Sequence, residues 1–502
     1  MSLRFLSVSS REARSKGLPD FDDPEAHARF DDRNSLERLL VQDPVETILF
    51  VAFVAGLAWA PFWLGGNRLP AWGVNGVLFP ALVLLYELNI LFTGRRHPVS
   101  IQQLAWPAGL FSLSVLWIFV QTSTSVPAPL AHPIWGMAAD VLEQPVVGSI
   151  SVNRGASSLA LIRLSTAACA FWLALQLSRN SLRSLLLLRA ISLIVAGYSA
   201  YGLVLAAFFS GTIPLFDAPD MGGFLRSTFV NRNSFATYSG LGLVVTIALT
   251  LRLFRHEVPE TTGVRYYRVA KFVEATGRRG WILLATGFVT LVALLGTISR
   301  GGVLATALAV FAFFALSFSR QRRRQSERIE AIVFVTVALV GTFAFFGDLI
   351  VGRIGSSGLE DSNRVAVYQI VTRAILDTPL LGFGYGAFAD VFPMYRDGSI
   401  GARGVWDKAH NTYLEVWLGL GLLFGSMLIG ALGWIVAKCF SGAVKRRQNA
   451  TPAIVAAAAS LLVGVHALVD FSLQIEAVAL TYMALLGAGV AQVESSRKSI
   501  SD

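Results

Sequence analysis

Cysteine is nearly absent from this chain. Two occur in 502 residues, Cys169 and Cys439, both inside apolar stretches and far apart in sequence. A disulfide framework and a thiolate metal site are excluded. Charge is scarce too: Asp, Glu, Lys and Arg make 15% of the chain, while apolar residues make 54%. A soluble domain carries about a quarter charged residues, so a soluble protein of this size is excluded. HExxH, CxxC and GxSxG patterns do not occur. The first outer loop, Gly65 to Trp72, has no carboxylate, and Asp20, Asp22 and Asp23 lie in the polar N-terminal tail. Metal-dependent chemistry therefore has little to build on, and no cofactor is expected. The tail runs into a long apolar run without a cleavage-like site, so it reads as a cytosolic tail and not a signal peptide.

What is present is length in apolar runs. Stretches of about 17–25 apolar residues can span a bilayer. They fall near 46–64, 73–93, 104–121, 158–178, 185–209, 234–253, 281–298, 303–319, 331–347, 413–437, 453–470 and 474–492. Eleven Trp and 34 Phe fit a lipid-facing surface with interfacial anchors. The net charge of +10 does not point to nucleic acid, because the basic residues sit in short loops between the runs. One alternating set of loops is densely basic: the N-terminal tail, Arg95-Arg96, Arg179 with Arg183, 254–280, Arg320 with Arg322-Arg323-Arg324, Lys445-Arg446-Arg447 and Arg497-Lys498. The other set is sparse. Twelve spans with both termini inside satisfy the positive-inside rule at every short loop. The expected fold is an all-α polytopic membrane protein. It divides into a cytosolic tail (1–44), helices one to nine (45–347), a large outer loop (348–412), helices ten to twelve (413–492) and a cytosolic C-terminal tail (493–502). The 254–280 loop, basic and aromatic, reads as a headgroup-facing inner loop, with regulation or partner binding as the lesser reading.

Two outer loops are long, 122–157 and 348–412, and loops of that length usually carry function. In the second, Val367, Ile370, Val371, Ala374 and Ile375 recur at helical spacing, Asp361 or Ser362 can cap, and Pro379 ends the run. An amphipathic helix near 363–376, flat on the outer surface of the bundle, is expected. Arg364 would lie on the edge of its buried face, able to point inward. The run Gly382-Phe383-Gly384-Tyr385-Gly386 follows Pro379 and not a strand, so it reads as a turn packed on the membrane and not a nucleotide loop.

Several polar groups land on the same outer face. Asn231-Arg232-Asn233 opens span six, Ser299-Arg300-Gly301-Gly302 turns between spans seven and eight, Arg364 lies on the outer helix, His410-Asn411 heads span ten, and His466 and Asp470 sit in the outer third of span eleven. Each has a plainer reading. A single Arg at a helix end can be an interfacial anchor, His410-Asn411 a cap pair, and His466 with Asp470 an internal hydrogen bond one turn apart. The glycines of the Ser299–Gly302 turn serve reversal of the chain, but nothing about a turn needs an arginine on the basic-poor side. Polar and ionisable groups at membrane depth tend to be functional. A cationic pocket with a histidine suits an anion at the membrane surface. Arginine forks grip diphosphate, and Arg300 and Arg364 suit that role. Imidazole titrates near neutrality, so His410 suits a general base for an attacking hydroxyl.

Phe229-Val230-Asn231-Arg232-Asn233-Ser234-Phe235-Ala236, Ser299-Arg300-Gly301-Gly302, the stretch Arg364 to Phe388 with Pro379-Leu380-Leu381-Gly382-Phe383-Gly384, and Ala409-His410-Asn411-Thr412-Tyr413-Leu414 occur in an order that resembles the O-antigen ligase and Wzy-type polymerase superfamily. Val469-Asp470-Phe471 resembles it as well, and the region covers roughly residues 200–490. The resemblance implies a GT-C-type glycosyltransferase in the bacterial inner membrane, its active site in the periplasm, with about twelve helices and a large periplasmic loop. It implies an undecaprenyl-diphosphate-linked oligosaccharide donor and transfer to a glycan, the lipid A core or a protein, with inversion and without metal. By motif position, Arg300 and Arg364 match two diphosphate-binding arginines, His410 the catalytic histidine, and Arg232 more loosely a further polar position. Asn231, Asn233, Ser299, Asn411, His466 and Asp470 would support them. Membrane lipids, and a chain-length regulator or envelope assembly proteins, are the other expected partners. The family often has a Glu shortly before a Gly-rich turn after its His-Asn motif; here Gly419 stands near that place and Glu415 comes earlier.

Two other functions stay open on the sequence. A transporter of polysaccharide or lipid-linked sugar would place charge near the midplane and show inverted repeats. No repeat is visible, and Arg163, one turn inside span four, is the one charge that favours transport. A structural subunit of an envelope assembly would leave Arg300, Arg364 and His410 unexplained.

Overall fold

The computed structural model describes residues 39, 43–209, 212–213, 223–257, 277, 280–319, 358–401, 405–446 and 449–493. Backbone in hydrocarbon must satisfy its own N–H and C=O groups, and the apolar runs fold accordingly as helices. In chain order these are α1 (Pro44–Trp59), α2 (Leu69–Thr93), α3 (Ala105–Thr122), α4 (Ile134–Leu142), α5 (Arg154–Leu177), α6 (Ser181–Phe208), α7 (Arg232–Glu257), α8 (Trp281–Gly296), α9 (Arg300–Ser319), α10 (Gly358–Asp377), α11 (Phe388–Tyr395), α12 (Thr412–Lys445), α13 (Thr451–His466) and α14 (Glu476–Ala491). Among the described residues, seven helices (α2, α3 with the 3-10 turn before it, α5, α6, α7, α9 and α12) are long and apolar enough to cross a membrane. The shorter apolar helices are α1, α8, α13 and α14. The architecture is that of an all-helical, multi-pass membrane protein. The expected span at 331–347, most of the 254–280 loop and nearly all of both tails lie outside the described residues.

Helix starts follow from local chemistry. Asn153 caps α5 by accepting from the Ala156 N–H at 3.0 Å, and Asn180 caps α6 by accepting from Leu182 at 2.9 Å. The expected start of the outer helix is shifted. α10 begins at Gly358, so Asp361 and Ser362 lie within it and are not caps.

The centre of the bundle is α7, α13 and α14. α14 is buried along almost its whole length and packs on α5, and α13 packs on α9 and α14. Small residues make this possible. Ala453 and Ala456 to Ala459 of α13 are all buried. A Cβ on Gly487 would stand 2.6 Å from the Phe171 carbonyl of α5.

A second, smaller core lies at the basic-poor end. Val367, Ile370, Val371, Ala374 and Ile375 are the buried face of α10, the five positions that the helical spacing picks out. They pack with Phe383, Phe388, Val391, Phe392, Ala409 and Leu418.

The glycine turn departs from expectation: it packs inside the protein and not on the membrane. α12 breaks at Gly421 (φ 76°, ψ 169°), which leaves helix backbone unpaired. Residues 379–384 fill the break. Phe383 N–H donates to the Leu418 carbonyl at 3.0 Å, Gly384 N–H to Gly419 at 3.0 Å, and Leu422 N–H to Pro379 at 2.7 Å. The Gln121 side chain of α3 donates to the carbonyls of Leu381 (2.7 Å) and Gly419 (2.8 Å). Gly382 has φ +64°, and a Cβ there would meet the Gly419 oxygen and the Gly421 nitrogen at 2.5 Å. Both are backbone atoms that cannot swing aside. Gly382→Ala is expected to destabilise the protein by about 2–4 kcal/mol, from left-handed strain plus the clash. Thermal melting of the purified variant in detergent measures it, and an unchanged midpoint would contradict the docking of this turn.

Candidate functional site

The site is built around residues 466–470, where α13 ends and the chain turns towards α14. The helix stops at His466, and Asp470 lies in the turn beyond, so the two are not an internal pair. His466 Nδ1 is 2.6 Å from the Thr237 hydroxyl of α7. Asp470 is fully buried and faces other elements. Asn233 Nδ2 donates to Asp470 Oδ1 at 3.3 Å, and the Ser472 hydroxyl donates to its other oxygen. His410 Nδ1 stands 3.8 Å from Asp470 Oδ1, beyond a direct hydrogen bond but close for an electrostatic pair. Burial opposes the Asp470 charge. The His410 and His466 imidazoles and the Ser472 hydroxyl outweigh it and hold the carboxyl below the usual carboxylate range.

The Ser299–Gly302 segment joins through Ser299. Its hydroxyl donates to Asn233 Oδ1 at 2.8 Å and accepts from the Gly302 N–H at 3.2 Å, capping α9. The Asn231 side chain accepts from the Asn233 N–H at 2.7 Å. The glycines serve close packing and not chain reversal, since the left-handed residue of this turn is Ile298 (φ 50°). A Cβ on Gly302 would stand 2.5 Å from Ala236 of α7, and one on Gly301 3.1 Å from the His466 ring. Arg300, the first residue of α9 and half-buried, is thus set beside the end of α13.

His410 is held by its neighbours. It sits at φ +53°, ringed edge-on by Phe471 (5.0 Å) and Trp406 (5.6 Å). The Tyr368 hydroxyl of α10 donates to the His410 carbonyl at 2.8 Å. Ahead of it, the Ala409 N–H donates to Glu415 Oε2 at 3.0 Å. Behind it, Asn411 caps α12 through the Leu414 N–H at 3.1 Å and donates to the Leu468 carbonyl at 3.0 Å. Thr412 donates from its N–H to Ala467 (2.9 Å) and from its hydroxyl to the Asp470 carbonyl (3.1 Å). Arg364, half-buried on α10, directs Nη1 to the Val469 carbonyl at 3.4 Å.

The polar pieces expected on one face therefore meet around a single turn of chain. Ser299, Asn233, Asp470 and His410 form a continuous polar chain, Arg364 and Asn411 touch residues 468–469, and Gly301 abuts His466. The Arg232 guanidinium lies 3.8 Å over the Phe224 ring. Sequence reading missed Thr237, Glu415, Thr412 and Ser472 as members of this network. A single Thr on an apolar helix carries no signal. Glu415 had one, an acid in the first turn of a helix headed by His-Asn. Among the described residues, no three His, Cys, Asp or Glu side chains gather as metal ligands.

No curated protein matches the chain. Residues 285–430 match a family model described as O-Antigen ligase. That interval holds Ser299, Arg300, Arg364, His410 and Asn411, and the parts of the network outside it, Asn231 to Asn233 and His466 to Asp470, pack directly on it. Within residues 285–430 the chain is therefore similar to the O-antigen ligase family.

Proposed function

We propose that the protein is a GT-C-type glycosyltransferase of the bacterial inner membrane. In this reading twelve helices span the bilayer, and the network around residues 466–470 faces the periplasm. It takes a glycan from an undecaprenyl-diphosphate carrier and passes it to an acceptor hydroxyl, as an O-antigen ligase or a surface-polysaccharide polymerase does. The observation that carries this is the pairing of His410 with the buried Asp470 at 3.8 Å, with Arg364 bonded one residue away.

The proposed steps use the residues of this network. Asp470 faces Nδ1 of His410 and favours the tautomer with the proton there, leaving Nε2 to accept one. The acceptor oxygen attacks the anomeric carbon as its proton passes to His410. The bond from that carbon to the diphosphate oxygen breaks, and the electron pair leaves with the diphosphate. A single displacement inverts the anomeric centre. Arg364 and Arg300 stabilise the charge gathering on the leaving group, which needs no metal in this scheme. Arg232, on Phe224, adds positive charge for the diphosphate in this reading.

The test is transfer in proteoliposomes that hold the full chain, a lipid-diphosphate oligosaccharide donor and an acceptor, with chelator present. Product with inverted linkage is expected. No product with any such donor ends the proposal, and product that needs divalent metal ends its metal-free form.

A further inference from the structure

Two features that the proposed chemistry leaves unused, Arg163 and the Gly382–Gly386 turn, meet in the structure. A Cβ on Gly386 would stand 2.6 Å from Ala160 of α5, and Ala160 and Arg163 are one helical turn apart on the same face. A Cβ on Gly419 of α12 would stand 2.9 Å from the Tyr385 Cα, and Gly419 lies one turn beyond Glu415. Tyr385 therefore sits between the Arg163 face of α5 and the Glu415 face of α12, in electrostatic reach of both. Arg163 and Tyr385 are each half-buried, and the surface they keep at this junction forms a recess between the helices.

The walls of the recess are polar and aromatic. Arg163 donates to the Gln474 carbonyl and places its Cζ 4.6 Å from the centre of the Trp72 ring. Asn75 of α2 donates to Glu476 Oε2 of α14 at 2.6 Å. Asn75 Oδ1, Glu476 Oε1 and Arg163 Nε are buried and meet no hydrogen-bond partner among the described residues. Buried polar atoms in that state are costly and mark a place where a ligand can complete the bonding.

The charges decide the kind of ligand. Glu476 and Glu415 stand near Arg163, and Lys408 pairs with Glu415 at 3.3 Å. With carboxyl groups beside its cations the recess is less cationic than the Arg300 and Arg364 side of the molecule, and a neutral ligand suits it better than phosphate. Mixed donors and acceptors beside Trp and Tyr rings suit a polyol. Glu415 joins this recess to the reacting centre, since it also holds the Ala409 N–H next to His410.

We propose that the recess between α2, α5, α14 and the Gly382–Gly386 turn binds the terminal sugar of the acceptor glycan. This rests on the transferase reading above and gives its acceptor a place separate from the diphosphate grip.

The test is equilibrium binding of oligosaccharides, released by mild acid from the envelope of the producing cells, to the full chain in nanodiscs. Wild-type protein is expected to bind. Tyr385→Phe removes one oxygen and should weaken binding about tenfold, the size of one hydrogen bond to a polar ligand. Arg163→Gln should weaken it further. If Arg163→Gln folds poorly, the affinity of Tyr385→Phe alone decides the outcome. No binding by the wild type, or unchanged affinity in Tyr385→Phe, overturns the proposal. Weakened binding in Tyr385→Phe together with full transfer by His410→Ala would support the recess and sink the catalytic reading instead.

Discussion

His410→Ala should lower glycan transfer by about two to four orders of magnitude, the usual contribution of a positioned general base. The fold should survive. The side chain is 21% exposed, and its neighbours are pinned independently by Glu415, Asn411 and Thr412. Backbone strain changes little, because histidine already carries a Cβ at φ +53° and alanine carries the same one. His410→Asn tests the same point with a polar side chain that tolerates the left-handed region but is no base. Both variants should reach the membrane at normal levels and give no product in proteoliposomes. Normal turnover by either would show that the acceptor proton leaves by another route.

Arg364→Ala should cost about a hundred- to a thousandfold in turnover, the loss seen when one preorganised donor to a developing anion is removed. The residue sits on the rim of α10, and the buried face of that helix is made by Val367, Ile370, Val371, Ala374 and Ile375. Helix docking should therefore be unaffected, with an unchanged melting midpoint as the check. Arg364→Lys keeps the charge but loses the planar fork, so activity should return only in part. A loss confined to the KM of the acceptor would place Arg364 away from the diphosphate.

Much of the fold was legible because hydrocarbon imposes one rule on backbone, and runs of about twenty apolar residues answer it. The ends were less so. Span eleven reads on to Asp470 by composition, yet the helix stops at His466, where the last carbonyls begin to serve Asn411 and Thr412 of another segment. The apolar stripe of α10 was readable to the residue, because burial of one helical face leaves a period. The glycine turn was readable as a turn but not in its place. Positive-φ glycines announce a reversal, while the partner, a break in α12 some 40 residues later, leaves no local mark. The reason for Gly301 and Gly302 was hidden in the same way: Ala236 and His466 demand them from other helices. Asn231, Asn233, Ser299 and Asp470 could be grouped by the membrane face they share. Which oxygen meets which nitrogen needed coordinates.

The interlock between the Pro379–Gly384 segment and the break at Gly421 has a consequence for building hybrids of this protein with its relatives. Moving the outer loop alone would leave the Leu418 carbonyl unanswered and the Gly419 carbonyl with only the Gln121 side chain, and moving the helix alone would strand the loop. The smallest portable unit runs from Pro379 to Leu422, with Gln121 as a third party that must match. Any change of glycan preference grafted through this loop has to carry the first three turns of the following helix with it.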